Sequence, residues 1–225
     1  MKLSIPVVLS FIGGYVDTAG FLALQGLFTA HVTGNFVTLA AALLSGSSGI
    51  VAKLLALPVF CIVIVVTRLM SHGLRRLNLP VLRTMLTLQL ALLAMGAAMA
   101  LSLRAQDHGD ALPVVLTGMV LVAAMAIQNA ASRIHIASAP PTTLMTGTTT
   151  QMMVDLADLL HGGGPEPERS AMKARLLKMG ANVAGFALGC AAGALLFSQF
   201  KMGCFVLPPL LVALPILMNA SRDQP

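Results

Sequence analysis

The chain has no tryptophan, one tyrosine and three cysteines, and only 10% of its 225 residues are charged. Each shortage excludes something. Soluble domains carry about 25% charged residues, so a water-soluble enzyme or a nucleic-acid-binding module does not fit. Cys61, Cys190 and Cys204 lie in apolar runs without paired spacing, which indicates neither a disulfide framework nor a zinc site. The sequence holds no P-loop, no GxGxxG after a strand, no HExxH and no GxSxG, so the signatures of nucleotide, metal and nucleophile chemistry are missing. No nucleophile and base pair is apparent. The chain is expected to be no enzyme and to hold no cofactor or metal. The usual aromatic belt of membrane proteins is nearly absent as well.

What is present is apolar. Hydrophobic residues make up 57% of the chain and the 20 glycines bring this to about two-thirds, with 14 Lys+Arg against 8 Asp+Glu for a net charge of +6. A basic excess in so apolar a chain records membrane topology more readily than a nucleic-acid partner. At roughly 20 residues per transmembrane helix the length allows about six spans and no separate soluble domain, so residues 1–225 read as one integral membrane domain. The expected spans are about Ile5–Leu24, Val51–Met70, Val81–Leu103, Leu112–Ala131, Leu177–Phe197 and Cys204–Met218. Met1-Lys2 before the first run resembles a signal peptide, but no convincing small-residue cleavage site follows, and the run reads as a membrane helix. Between the first two spans lies Val32–Leu44, too short to cross unaided. After the fourth, which finishes in Gln128, Asn129, Ser132 and Arg133, the Pro140-Pro141 pair breaks the helix and another short segment, about Leu144–Leu160, follows. The basic turn Ser71–Pro80 separates spans two and three, and Gly162–Arg169 is the one clearly polar linker.

Basic residues decide how the short segments count. If neither adds a net crossing, both termini share one side with Lys2, Arg68, Arg75, Arg76, Arg83, Arg169, Lys173, Arg175, Lys178 and Arg222, leaving Lys53, Arg104 and Lys201 outside. That sorting obeys the positive-inside rule. Eight crossings would put the two most basic loops on opposite faces, so six is preferred, with both termini cytoplasmic.

Each half, about 1–110 and 111–225, repeats one order: a long span with polar residues, an interruption, a short segment opening on Thr-Gly, then two plain spans. The pairs Thr33-Gly34 and Thr146-Gly147 are 113 residues apart, half the chain. Three crossings per half is odd, so the halves would have opposite orientations, the inverted repeat of many secondary transporters. The expected fold is therefore an all-α membrane protein with about six net transmembrane helices as an inverted 3+3 repeat, broken or re-entrant after the first helix of each half. Breaks at membrane depth are tolerated where the backbone is buried in protein or lines a wet cavity. Helices starting near Thr33 or Thr146 would offer free N–H groups with the threonine as N-cap. Two such ends near the midplane would bind a small polar or anionic solute; re-entrant turns satisfied by neighbouring helices, with no ligand, are the plainer alternative.

The block Gly14-Tyr15-Val16-Asp17, then Gly20-Phe21-Leu22-Ala23-Leu24 and Leu27-Phe28-Thr29-Ala30-His31-Val32-Thr33-Gly34-Asn35, closely resembles the N-terminal signature of the YoaK-like family of bacterial multi-pass membrane proteins, a domain of unknown function. Gln128-Asn129 and Met145-Thr146-Gly147 fit that family's second-half pattern, whereas Cys61–Val66 lacks its glycines. The resemblance implies a bacterial inner-membrane location and brings no established activity, substrate or catalytic residues.

Asp17, some 13 residues into the first span, is the most costly residue and so a functional candidate: a proton or cation site, a partner for Arg133, or a hydrogen-bonded acid that packs helices. His31 could titrate near neutral pH or serve structurally. Arg133 and His135 read as interfacial, and Asp155 and Asp158 share a helix face suited to ion pairs with the basic 169–178 stretch. Gly185, Gly189 and Gly193 form a helix-packing face, open to an internal contact or a homo-oligomer. The leading reading is a small secondary transporter with substrate-binding residues Asp17, His31, Thr33, Gly34, Asn35, Gln128, Asn129, Thr146, Gly147 and Thr148. The competing one is a non-transporting membrane scaffold or regulatory subunit. Expected partners are the lipid bilayer and a small polar or anionic solute.

Overall fold

A computed structural model describes residues 4–103, 109–136, 140–143, 145–162 and 164–220. Among these it holds eight α-helices and no strand: α1 (Ile5–Ala23), α2 (Gly34–Ser45), α3 (Ile50–Arg76), α4 (Val81–Ser102), α5 (Leu112–His135), α6 (Met145–Leu160), α7 (Glu166–Phe200) and α8 (Leu207–Ala220), with a 3-10 turn Lys201–Val206 before α8. Five helical stretches are long and apolar enough to cross a membrane: α1, α3, α4, α5 and Glu166–Asn219. The chain is thus built as a multi-pass membrane protein.

Three helices outlast the apolar runs that mark them in the sequence. The expected turn Ser71–Pro80 shrinks to Leu77–Pro80, because α3 continues to Arg76 and stops only where Asn78 turns left-handed at φ 53°. Its last turn carries Arg75 and Arg76, cations that suit the negative end of a helix dipole. Helix α5 likewise runs past Ala131 to His135 with Arg133 in its last turn. The far end of the expected polar linker is helical too: a proline near the start and Glu166 and Glu168 in the first turn favour an N-terminus there for α7.

Helices α1 and α5 form the centre. Twelve of the 19 residues of α1 and 14 of the 24 of α5 are buried, against five in the longer α3 and five in α7. In lipid, helices associate through close packing of small residues more than through apolar burial, and the α1–α7 seam follows that rule. A Cβ at Gly185, Gly189 or Gly193 would run into the carbonyls of Val7, Phe11 and Tyr15, and one at Gly14 into that of Phe186. The contacts advance by four on both helices, so α1 and α7 run parallel. Tyr15, whose backbone meets Gly193, donates its hydroxyl to the Cys204 carbonyl at 2.8 Å. The chain has therefore turned back at the 3-10 turn, whose first residue, Lys201, has φ 48°. Helix α8 then packs on α4 and α1.

Helices α3 and α5 are a second parallel pair. Asp110, just before α5, accepts from the Gly49 and Val51 amides at 3.1 and 2.9 Å at the start of α3, and Ser71 Oγ lies 3.5 Å from His135 Nε2 at the other end. The short helices α2 and α6 each pack on the long helix that follows them. On the α6–α7 hairpin, Asp155 accepts two bonds from Arg175, at 2.7 and 2.6 Å. That hydrogen-bonded guanidinium holds the carboxyl below the usual range. Asp158, its helix-face neighbour, is exposed.

Candidate functional site

The first interruption begins at Gln25 and Gly26, both left-handed (φ 56° and 80°), which turn the chain back along α1. Asp17 holds the returning segment. Its Oδ1 accepts from the amides of Thr29 (2.8 Å) and Ala30 (2.7 Å), with the His31 amide and Thr29 hydroxyl at 3.4 Å, and its Oδ2 faces His31 Nδ1 at 2.7 Å. Successive backbone N–H groups make an anion-binding concavity, here filled by the chain's own carboxylate. Asp17 therefore does not pair with Arg133. Asn35 clasps Phe28 at both ends, accepting from its amide at 2.9 Å and donating to its carbonyl at 2.8 Å. Gly34 lies under the Phe28 ring.

The expected open helix end is closed. Thr33 precedes α2 in an α-helical conformation, makes no side-chain cap and is exposed, while the amides of Gly34, Asn35 and Phe36 donate to the carbonyls of His31, Val32 and Thr33. The excursion also ends where it began, since Gln25, Gly49 and Gly109 crowd together at one end of the bundle.

The second interruption is held by neutral groups. Gln128 donates to the Leu9 carbonyl at 2.8 Å and accepts from Gln89 at 2.7 Å. Asn129 donates to the Met125 carbonyl and accepts from the Thr143 hydroxyl. Ser132 and Thr142 share a bond at 3.1 Å, and Asn182 of α7 donates to the Pro140 carbonyl at 3.2 Å. Each interruption leans on the other half's central helix: Leu27 covers Gly118 of α5, and Thr143 covers Gly13 of α1. Thr146 and Gly147 are exposed at the start of α6, with nothing near Gly147, and Thr148 is buried.

Between the interruptions lies a cavity of about 450 Å³, lined by His31 and Thr33 from the first, Pro141 and Thr142 from the second, and Asn129 and Ser132 from α5. Arg68 of α3 and Arg133 of α5 also line it, and Leu57, Phe60 and Ile64 form its apolar wall. A second cavity of about 570 Å³ lies across His31, against Asp17, Gly34 and Phe186. The His31 side chain, 33% exposed where Asp17 is 5%, is the polar group common to both. Of the ten residues singled out in the sequence, His31, Thr33 and Asn129 thus share the cavity between the interruptions, and Asp17 and Gly34 line the second one. Asn35, Gln128, Thr146, Gly147 and Thr148 line neither. Sequence reasoning missed Arg68, Ser132 and Thr142. Arg68 carried a signal, a lone cation inside an apolar run, which positive-inside counting absorbs into a loop.

A family model described as a protein of unknown function (DUF1275) matches residues 5–218. The chain belongs to this family. The match takes in both interruptions and all eight helices except the last two residues of α8, so both cavities of this DUF1275 protein lie wholly within the shared region. No curated protein and no solved structure matches the chain.

Proposed function

We propose that this DUF1275 protein is a small secondary transporter or permease for a small polar or anionic solute, not an enzyme, with its site in the cavity between the two interruptions. The observation that carries this reading is that both halves line one cavity, with His31 standing between it and a second one. Irregular backbone at membrane depth belongs where it lines such a space. Several features support an inverted 3+3 repeat with six net crossings. Each central helix has a parallel partner from the other half, α1 with α7 and α5 with α3. Each interruption leans on the opposite central helix, and the meeting of Gln25 with Gly49 fits a re-entrant α2. The last two crossings are α7 and the 3-10 turn with α8. The basic sorting supports cytoplasmic termini, and the YoaK-like resemblance of residues 13–35 the bacterial inner membrane.

Protein reconstituted in liposomes is expected to take up a small solute saturably, with uptake cut by Thr33→Val and Asn129→Ala. Failure of all of a panel of labelled small anions and neutral polar solutes to enter would sink the transport reading. One observation favours a membrane scaffold instead: Asp17, Asn35 and Gln128 spend their hydrogen bonds on the protein itself. In that case a partner protein co-purifies and no solute is taken up.

A further inference from the structure

The cavity between the interruptions is asymmetric in chemistry. Its cations, Arg68 and Arg133, come from the parallel pair α3 and α5, are exposed, and have no acidic partner among the described residues. Among the described residues, no Asp or Glu lines the cavity. Its other ionisable lining group, His31, is already bonded to Asp17. Leu57, Phe60 and Ile64 lie at three- and four-residue spacing before Arg68 on α3 and make the apolar wall. Two guanidinium groups offer ten N–H donors arranged for planar oxyanions, and ligand pockets of about 300–1,000 Å³ with apolar walls and few polar groups take small organic molecules.

We infer that this cavity binds an organic anion, a carboxylate or phosphate group carried on an apolar body, with Arg68 and Arg133 holding the head group and Leu57, Phe60 and Ile64 the body. This deepens the transport reading and rests on it for the passage of the anion, though not for its binding. A free solute and the head group of an anionic lipid share the chemistry. Arginines near a membrane surface otherwise only snorkel to water, and in that case they would bind nothing saturably.

The absence of tryptophan makes the test direct, since Phe60→Trp gives the chain a single indole in the cavity wall. With this variant in phosphatidylcholine liposomes, 4-bromobenzoate is expected to quench the indole emission saturably through its heavy bromine. Arg68→Gln and Arg133→Gln should each weaken the binding about tenfold, the worth of a lost charge-assisted hydrogen bond, with Arg133→Lys weakened less. Neutral 4-bromobenzyl alcohol should quench only in linear proportion to its partitioning. Quenching by 4-bromobenzoate that is linear, or equally tight in both glutamine variants, overturns the proposal. Thermal melts verify that the variants are folded, and the lysine variant keeps the charge if glutamine is not tolerated. Added phosphatidylglycerol separates the sources: loss of the saturable quench identifies a lipid head group as occupant, and its persistence a free anion, both upholding an anion site. Saturable binding without uptake upholds this site and removes the transport reading. Saturable uptake of a solute that is indifferent to both arginines, without 4-bromobenzoate binding, does the reverse.

Discussion

The two interruptions use one plan with two chemistries. In the first, Asp17 near the end of α1 grips Thr29, Ala30 and His31, and in the second, Asn129 near the end of α5 grips Thr143 while Gln128 and Ser132 reach Thr142. Both answer the same requirement, that backbone leaving a helix inside an apolar bundle be given partners. Neutral groups suffice in the second half. A carboxylate therefore exceeds what the break itself demands, and the first half bears its cost by surrounding it with amides and an imidazole. Among the described residues, a carboxylate holds the returning backbone at the first break only.

The strongest way to break this comparison is Asp17→Ala, which leaves the buried amides of Thr29 and Ala30 without an acceptor. It is expected to cost about 3–5 kcal/mol against about 1–2 kcal/mol for Asn129→Ala, read from unfolding in mixed detergent. Equal losses would show that the charge carries no extra structural duty. Asn129→Asp installs a carboxylate without the amide cradle or a histidine and should cost about 3 kcal/mol, the scale of an uncompensated acid at membrane depth. Asp17→Asn gives the first half the chemistry of the second. Its oxygen still accepts from Thr29 and Ala30, so the expected loss is smaller, about 2 kcal/mol. Thr143→Val, which removes only the hydroxyl given to Asn129, should cost about 1 kcal/mol.

The smallest effect lies outside both breaks, on the α6–α7 hairpin. Asp155 has a folded pKa below its ordinary value of 3.8, so its bond to Arg175 stabilises fully above that value and is lost as pH falls through the lower, folded one. Arg175 is half exposed, which screens the pair. Protease sensitivity of the hairpin should rise modestly below pH 3.8 in the native protein and show no such step in Asp155→Asn.

Much of the fold was legible in the sequence. Apolar runs located the long helices, and the Thr-Gly pairs marked the two interruptions, because both signals are local. Helix ends were misjudged where charged residues continue a helix beyond its apolar stretch, as in α3 through Arg76, α5 through His135 and α7 from Glu166. Hydropathy marks where a helix leaves lipid, not where its hydrogen bonding stops. Less of the site could be read. Asp17 stood out by its cost, but besides the His31 ring its main partners are backbone amides of the returning segment, which no side-chain motif encodes. Thr33 suggested a cap, yet the carbonyls of residues 31–33 take that role. Arg68 and Arg133 come to line one cavity only through the parallel packing of α3 on α5, a pairing set by contacts far apart in sequence.

The glycine seam between α1 and α7 has a consequence for biosynthesis. The partner of the first helix lies roughly 170 residues downstream of it. At about 5–20 residues per second, α1 waits on the order of ten to thirty seconds in the bilayer before Gly185, Gly189 and Gly193 can reach it. Until then Val7, Phe11 and Tyr15 face a vacancy the width of a backbone. A chain stalled before α7 therefore carries an α1 whose Val7, Phe11 and Tyr15 backbone lacks the glycine face it packs on.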